Sequence, residues 1–239
     1  MALPHAAIHH FRHNGYLKCR DLLPAETVAE LKETILKDIA EEAEPAVRDK
    51  TDRVVRISQV LDRDPIFLKA ASHSPLLDTL ESLLGPQIEL VKNRHNHATL
   101  NYTTPMGDSF HRDAVQWSRS LVSVILYLEE TTTQNGCTQV IPGSHLLPGV
   151  DVLHRVESEA WVAESNLLAQ AVPVPMPAGS ALLIDGLVFH RIGPNQTSDT
   201  RMSMTLGYHS ADELADTDDA KRILVRGKRN YRGNDTAPT

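Results

Sequence analysis

Three residues far apart in the chain are of the types that bind a metal together. His111 and Asp113 sit in Phe110-His111-Arg112-Asp113, and His190 closes Leu187-Val188-Phe189-His190. Side chains at i and i+2 of an extended strand point to one face, so His111 and Asp113 can present an imidazole and a carboxylate side by side, with Arg112 pointing away. The imidazole of His190 completes two nitrogens and one oxygen on one side of an ion. That facial set leaves other positions open on non-haem Fe(II). Arg201 follows eleven residues after His190, and its planar fork of donors suits a carboxylate bidentately. A metal triad followed by such an arginine calls for a carboxylate-bearing cosubstrate.

The elements that must position these residues are strands. Leu121–Leu128 is almost continuously apolar, as expected of a strand buried on both sides. Turn chemistry follows at Gln134-Asn135-Gly136, Pro142-Gly143, Pro177-Ala178-Gly179 and Gly193-Pro194-Asn195. Short strands are predicted between these turns, over Thr138–Ile141, Val172–Met176, Ser180–Ile184 and Met202–Tyr208, with an earlier one over Glu89–Tyr102. In the last of the series Met202, Met204, Leu206 and Tyr208 fall on one face. Arg201, Ser203, Thr205 and Gly207 fall on the other, which places a hydroxyl from Ser203 beside the arginine.

Two helices precede the strands. Val28, Leu31, Ile35 and Ile39 recur at helical spacing after Pro24. Leu76, Leu80, Leu83 and Leu84 do so after Ser74-Pro75 and stop at Gly85-Pro86. The expected fold class is an all-β core with flanking helices, a double-stranded β-helix or jelly-roll barrel of the cupin-like kind. It forms one domain over 1–239, with a helical N-terminal support at about 20–86, the jelly-roll core at about 87–210 and a C-terminal basic segment.

Composition narrows the function classes. The chain has 239 residues, 24 Lys and Arg against 31 Asp and Glu, a net charge of −7, and two cysteines, Cys19 and Cys137. The acidic balance argues against a nucleic-acid partner. Two thiols without a CxxC pair fit a reducing cytosol. No apolar run reaches the ~20 residues of a membrane span, and the N-terminus has no secretory pattern, so a cytoplasmic location is expected. Nothing in the sequence sets an oligomeric state.

Five segments in one order carry a resemblance to the phytanoyl-CoA dioxygenase family of Fe(II)/2-oxoglutarate-dependent oxygenases. They are Phe11-Arg12-His13-Asn14-Gly15-Tyr16; the His111-x-Asp113 pair; Asn135-Gly136-Cys137 with Ile141-Pro142-Gly143-Ser144-His145; His190-x-x-x-Pro194-Asn195; and Arg201. The resemblance spans nearly the whole chain. It implies His111, Asp113 and His190 as catalytic iron ligands and Arg201 as the clamp on the distal carboxylate of 2-oxoglutarate, with O2 as the other cosubstrate and ascorbate as an aid in keeping iron reduced. It also implies hydroxylation of an unactivated C–H bond of a small molecule, with succinate and CO2 as products. Desaturation or ring closure would use the same cofactors. A non-oxidative, cupin-like isomerase or binding protein holding Zn or Mn is the rival from another class, and it would need no carboxylate clamp.

Several further residues are candidates. Asn96 could touch the cosubstrate, with Asn93 as its competitor, because Arg94-His95-Asn96 lies one strand before His111. Trp117, Arg94 and His97 are candidate substrate contacts. His145 reads as turn packing, and His5, His9, His10 and His13 as a solvated terminus. Lys92–Asp108 and Val150–Ala171 are the least family-like stretches and are expected to form the substrate pocket. The basic run Arg226–Gly233 could close over that pocket and favour an anionic substrate or biosynthetic intermediate. Lys92–Asp108 and Arg226–Asn234 are the expected lid.

Overall fold

A computed structural model describes residues 2–103, 108–115, 121–147, 154, 156–211 and 220–228. The two helices expected from periodicity are present. α2 spans Ala25–Ala40 and buries Val28, Leu31 and Ile35. α4 spans Ser74–Leu84 and buries Leu76, Leu77, Leu80 and Leu83. Ser74 is already helical and His73 takes the capping position without a side-chain bond, so the start lies one residue earlier than the Ser-Pro signal suggests. α3, Pro65–Ala71, is capped by the Asp64 carboxylate, which accepts from the Ile66 N–H.

The N-terminal histidines His5, His9, His10 and His13 are exposed, as expected of solvated residues, and they lie on a helix. α1 runs over His5–Asn14 and buries Phe11. It ends at Gly15, which has φ 77°, and a Cβ there would lie 2.2 Å from Val188 Cγ2. Only glycine meets both demands. The Pro-Gly-Ser-His turn holds this helix end. Gly143 N–H donates to Asn14 O at 3.0 Å, and His145 Nε2 donates to Arg12 O at 3.0 Å, which is the turn-packing role expected of His145.

Among the described residues, twelve strands form two antiparallel sheets. They are β1 Tyr16–Cys19, β2 Ala46–Arg48, β3 Val54–Ser58, β4 Ile88–Val91, β5 His97–Asn101, β6 Val122–Tyr127, β7 Thr138–Val140, β8 Val172–Val174, β9 Ala181–Asp185, β10 His190–Ile192, β11 Arg201–Ser210 and β12 Arg222–Arg226. The larger sheet has the order β1-β9-β6-β11-β5-β3-β2, with β4 also on β11 and β12 on β4. The smaller has the order β10-β7-β8. This is the jelly-roll architecture. The outer face of the larger sheet carries Ala98, Val124, Leu126, Met202, Met204, Leu206 and Tyr208. It packs on Leu31, Ile35, Phe67, Leu76 and Leu80 of the helices, leaving the opposite face to line the barrel. No helix among the described residues is long and apolar enough to cross a membrane.

Three expectations are corrected. The segment at about 20–86 is not helical support alone, since it gives β2 and β3 to the larger sheet. The arginines in Arg53-Val54-Val55-Arg56 obscure an alternation that only pairing with β5 completes. The strand expected over Glu89–Tyr102 is broken between β4 and β5, where His95 has φ 50°. The C-terminal stretch does not fold over the barrel as far as it is described. β12 extends the sheet beside β4, and Arg226 pairs with Glu81 at 2.7 Å and Asp78 at 3.0 Å.

Candidate active site

Backbone pairing brings the three metal-type ligands together. His111 N–H donates to His190 O at 3.0 Å and His190 N–H returns a bond to His111 O at 3.0 Å. The N–H groups of Asp113 and Ala114 both donate to Gly186 O, at 2.8 and 2.9 Å, which turns the Asp113 carboxylate back toward the histidines. His111 Nε2 lies 3.7 Å and His190 Nε2 3.5 Å from the Asp113 oxygens. One ligand atom from each of the three lies within 4.8 Å of the others, close enough for one ion to touch all three at ordinary metal–ligand distances.

The surroundings orient the ring nitrogens. His190 Nδ1 donates to Val188 O at 3.0 Å and His111 Nδ1 to Ser109 O at 3.3 Å, so each Nε2 keeps its lone pair for a metal. The Ile141–His145 turn latches both ligand segments. Ser144 Oγ accepts from Phe189 N–H at 2.8 Å and Ser144 O from Arg112 at 2.9 Å. Arg112 lies over the Phe189 ring, 4.0 Å from its centroid, turned away from the ligands as strand alternation requires. Burial holds His111 down to about 4, helped by the charge of His190. Burial by itself would raise the Asp113 carboxyl, but the imidazoles of His190, His95 and His111 pull it well below the usual carboxylate range. Neutral imidazole beside ionised carboxylate is the state a divalent metal needs.

Arg201 faces the same cavity from β11. It is 1% exposed, and its Nε and Nη1 have no hydrogen-bond partner among the described residues. Asn101, directly opposite on β5, has a buried Nδ2 that also lacks one. Ser203 is buried two residues further along the same face. Buried donors without acceptors cost free energy, so this corner of a cavity of about 550 Å³ suits an anion. A carboxylate would meet the guanidinium fork, and the donor set fits the distal end of 2-oxoglutarate.

Asn101, not Asn96, is the amide at this corner. Asn96 Oδ1 accepts from Leu61 N–H and its Nδ2 donates to Lys92 O, both at 3.0 Å. It braces the turn before β5 and does not line the cavity. The missed signal was the alternation His97, Thr99, Asn101. Two of the family-like motifs hold Asn101 in place. Asn195 Nδ2 donates to Asn101 O at 3.0 Å, and a Cβ at Gly136 would lie 2.6 Å from Asn101 Nδ2. Asn101→Ala is expected to weaken 2-oxoglutarate binding by about 1.5–3 kcal/mol, the range for a hydrogen bond to a charged group, with the melting temperature kept. Asn96→Ala should lower the melting temperature and leave that affinity nearly unchanged. Calorimetry and thermal melts of the two variants decide, and the reverse pattern would restore Asn96 to the site.

His97 and Arg94 line the cavity, and Asn93 does not. Trp117 lies outside the described residues, as do 104–107 and 229–234 of the expected lid and 150–153 and 155 of the second pocket stretch. His95 is closer to the chemistry than the sequence suggested, with Nε2 3.7 Å from Asp113 Oδ1.

Comparison with known proteins identifies the family and the fold. The sequence profile of phytanoyl-CoA dioxygenase (PhyH) matches residues 11–203. Phytanoyl-CoA dioxygenase domain-containing protein 1 of Mus musculus is 27% identical over 172 residues, covering 60% of this chain and 52% of that protein. This chain thus spans about half the length of that relative. The probable alpha-ketoglutarate-dependent hypophosphite dioxygenase of Stutzerimonas stutzeri is 23% identical over 227 residues, covering 83% of this chain and 76% of that protein. Among solved structures, the non-heme alpha ketoglutarate dependent epimerase SnoN from nogalamycin biosynthesis shares the fold, with a TM-score of 0.74 and 20% identity over 98% of each chain.

Proposed function

The chain belongs to the phytanoyl-CoA dioxygenase family, and from that premise we propose an Fe(II)- and 2-oxoglutarate-dependent dioxygenase that hydroxylates an unactivated C–H bond of a small molecule. One observation carries the reading: the His111, Asp113 and His190 cluster shares its cavity with a buried arginine whose Nε and Nη1 have no partner among the described residues. A metal protein without a cosubstrate needs no such cation, and a guanidinium buried with two of its nitrogens unpartnered is expensive even with Tyr127 and Asp108 nearby.

In this reading His111 and His190 offer Nε2 donors and Asp113 the only anionic ligand. These three residues would hold the ion at the wall of the cavity. Arg201 and Ser203, with Asn101, would bind the far carboxylate of 2-oxoglutarate. Bound iron, with 2-oxoglutarate and O2, supplies the oxidative decarboxylation to succinate and CO2 and the oxidising power for the C–H bond. The protein contributes position and the exclusion of water.

Purified protein is expected to form succinate from 2-oxoglutarate only with added Fe(II), slowly without its substrate and faster with it, with ascorbate maintaining turnover. Retention of one atom of labelled O2 in the product would mark hydroxylation. Loss of two hydrogens without oxygen would mark desaturation or ring closure by the same cofactors. Absence of 2-oxoglutarate binding in calorimetry with a redox-silent metal would remove the oxygenase reading in favour of a cupin-like isomerase or binding protein.

A further inference from the structure

Arg56 lines the same cavity as the three metal-type ligands and Arg201. In the register of the larger sheet it lies directly opposite Thr99 on β5, and Thr99 lies opposite Ser203 on β11. Opposed residues of antiparallel strands project to the same face, so Arg56, Thr99 and Ser203 form one row across the inner wall. Two interstrand spacings, about 10 Å, separate the backbone of Arg56 from that of Ser203. The arginine therefore reaches the cavity from the end away from Arg201.

Its charged neighbours on that wall are engaged. Arg53 pairs with Asp49 at 2.7 Å and lies over the Tyr102 ring. Arg94 Nε donates to His95 Nε2 at 3.2 Å. The Arg56 side chain, which is exposed, has no hydrogen-bond or ion-pair partner among the described residues. His97 lies beside it and is held down to about 4 by burial and then by the Arg56 charge. At neutral pH its imidazole is uncharged and can donate one N–H. Apolar Val47, Val55, Ile125 and Ile192 cover other parts of the wall. A guanidinium on the wall of a partly apolar cavity suits a ligand with one anionic end and an apolar remainder. The arginine fork binds oxyanions bidentately.

We propose that Arg56, flanked by His97 and Arg94, anchors the anionic end of the substrate, so that the enzyme acts on a small carboxylic or phosphonic acid whose hydrocarbon part faces the metal. The substrate class rests on the dioxygenase reading above, whereas the anion site can be tested by binding alone.

The test uses the protein saturated with Mn(II) and 2-oxoglutarate, so that Arg201 is occupied, and titrates it with methylphosphonate, isobutyrate and the neutral isobutyramide. At least one acid should bind more tightly than the amide, and which acid does so distinguishes phosphonate from carboxylate. Arg56→Gln should weaken that acid by roughly tenfold to a hundredfold, as loss of a charge-assisted hydrogen bond implies. It should leave 2-oxoglutarate affinity and the melting temperature unchanged. Arg20→Gln, an exposed arginine off the cavity, should change nothing. Should Arg56→Gln fail to fold, Arg56→Lys, which keeps the charge and loses the fork, should weaken the acid to an intermediate extent. The proposal is overturned if neither acid binds better than the amide, if the Arg56 variant binds it as the parent does, or if the acid displaces 2-oxoglutarate. If 2-oxoglutarate itself does not bind, the dioxygenase reading fails, and the same titration with Mn(II) alone still decides the role of Arg56.

Discussion

Asp113→Ala is expected to abolish Fe(II)-dependent succinate formation and to cost about 3–5 kcal/mol of metal affinity, or roughly two to four orders of magnitude, the range for removing one partner of a buried charge pair. The carboxylate is 5% exposed and is the only anionic group in the cluster. Its oxygens lie within 3.7 Å of three imidazole nitrogens, those of His111, His190 and His95. Without it the metal would be held by neutral donors in a largely dehydrated corner. Titration with Mn(II) or Co(II) reads the effect directly, independent of turnover. A variant that keeps parental metal affinity would show that the ion sits elsewhere.

Arg201→Ala should separate the cosubstrate from the metal. It leaves the three ligands and their Nδ1 hydrogen bonds intact, so metal affinity is expected to stay at the parental value. 2-Oxoglutarate binding should fall by about 2–5 kcal/mol, the range for truncating a buried charge partner. The apoprotein gives a second readout. With no anion bound, Nε and Nη1 of Arg201 are buried without partners, and replacing a buried charge with an apolar side chain of similar size is often neutral or stabilising. Arg201→Met is therefore expected to keep or raise the melting temperature of the apoprotein while losing 2-oxoglutarate binding. Equal loss of metal in the Asp113 and Arg201 variants would contradict their separate roles, and a large drop in stability for Arg201→Met would make the arginine a structural support.

Much of the fold was legible locally. The leucine stripes of α2 and α4 repeat with the helical period, and the apolar run of β6 and the two-faced pattern of β11 repeat with the strand period. The side of β11 that packs on the helices is the one its alternation indicated. Residue chemistry was equally local: an imidazole, a carboxylate and a guanidinium carry their binding preferences with them, which is why His111, Asp113, His190 and Arg201 could be singled out before any contact was known.

Where those groups meet is a different matter. Asn96 and Asn101 are the same residue type five positions apart. Only the turn before β5 decides that one braces backbone and the other faces Arg201. α1 escaped notice because its single buried anchor, Phe11, makes too weak a stripe. It is held by distant partners at Gly143 and His145. Arg56 reads in sequence as one more charge in a polar stretch, and it becomes part of the cavity wall only because β3 pairs with β5 and β5 with β11. The physical reason is common to all three. Periodicity and side-chain chemistry are properties of neighbours along the chain, so the sequence determined the strongly periodic elements and the ligand-type residues. Strand register and turn geometry are set by hydrogen bonds between segments tens of residues apart, so only the tertiary structure decided which side chains share the cavity.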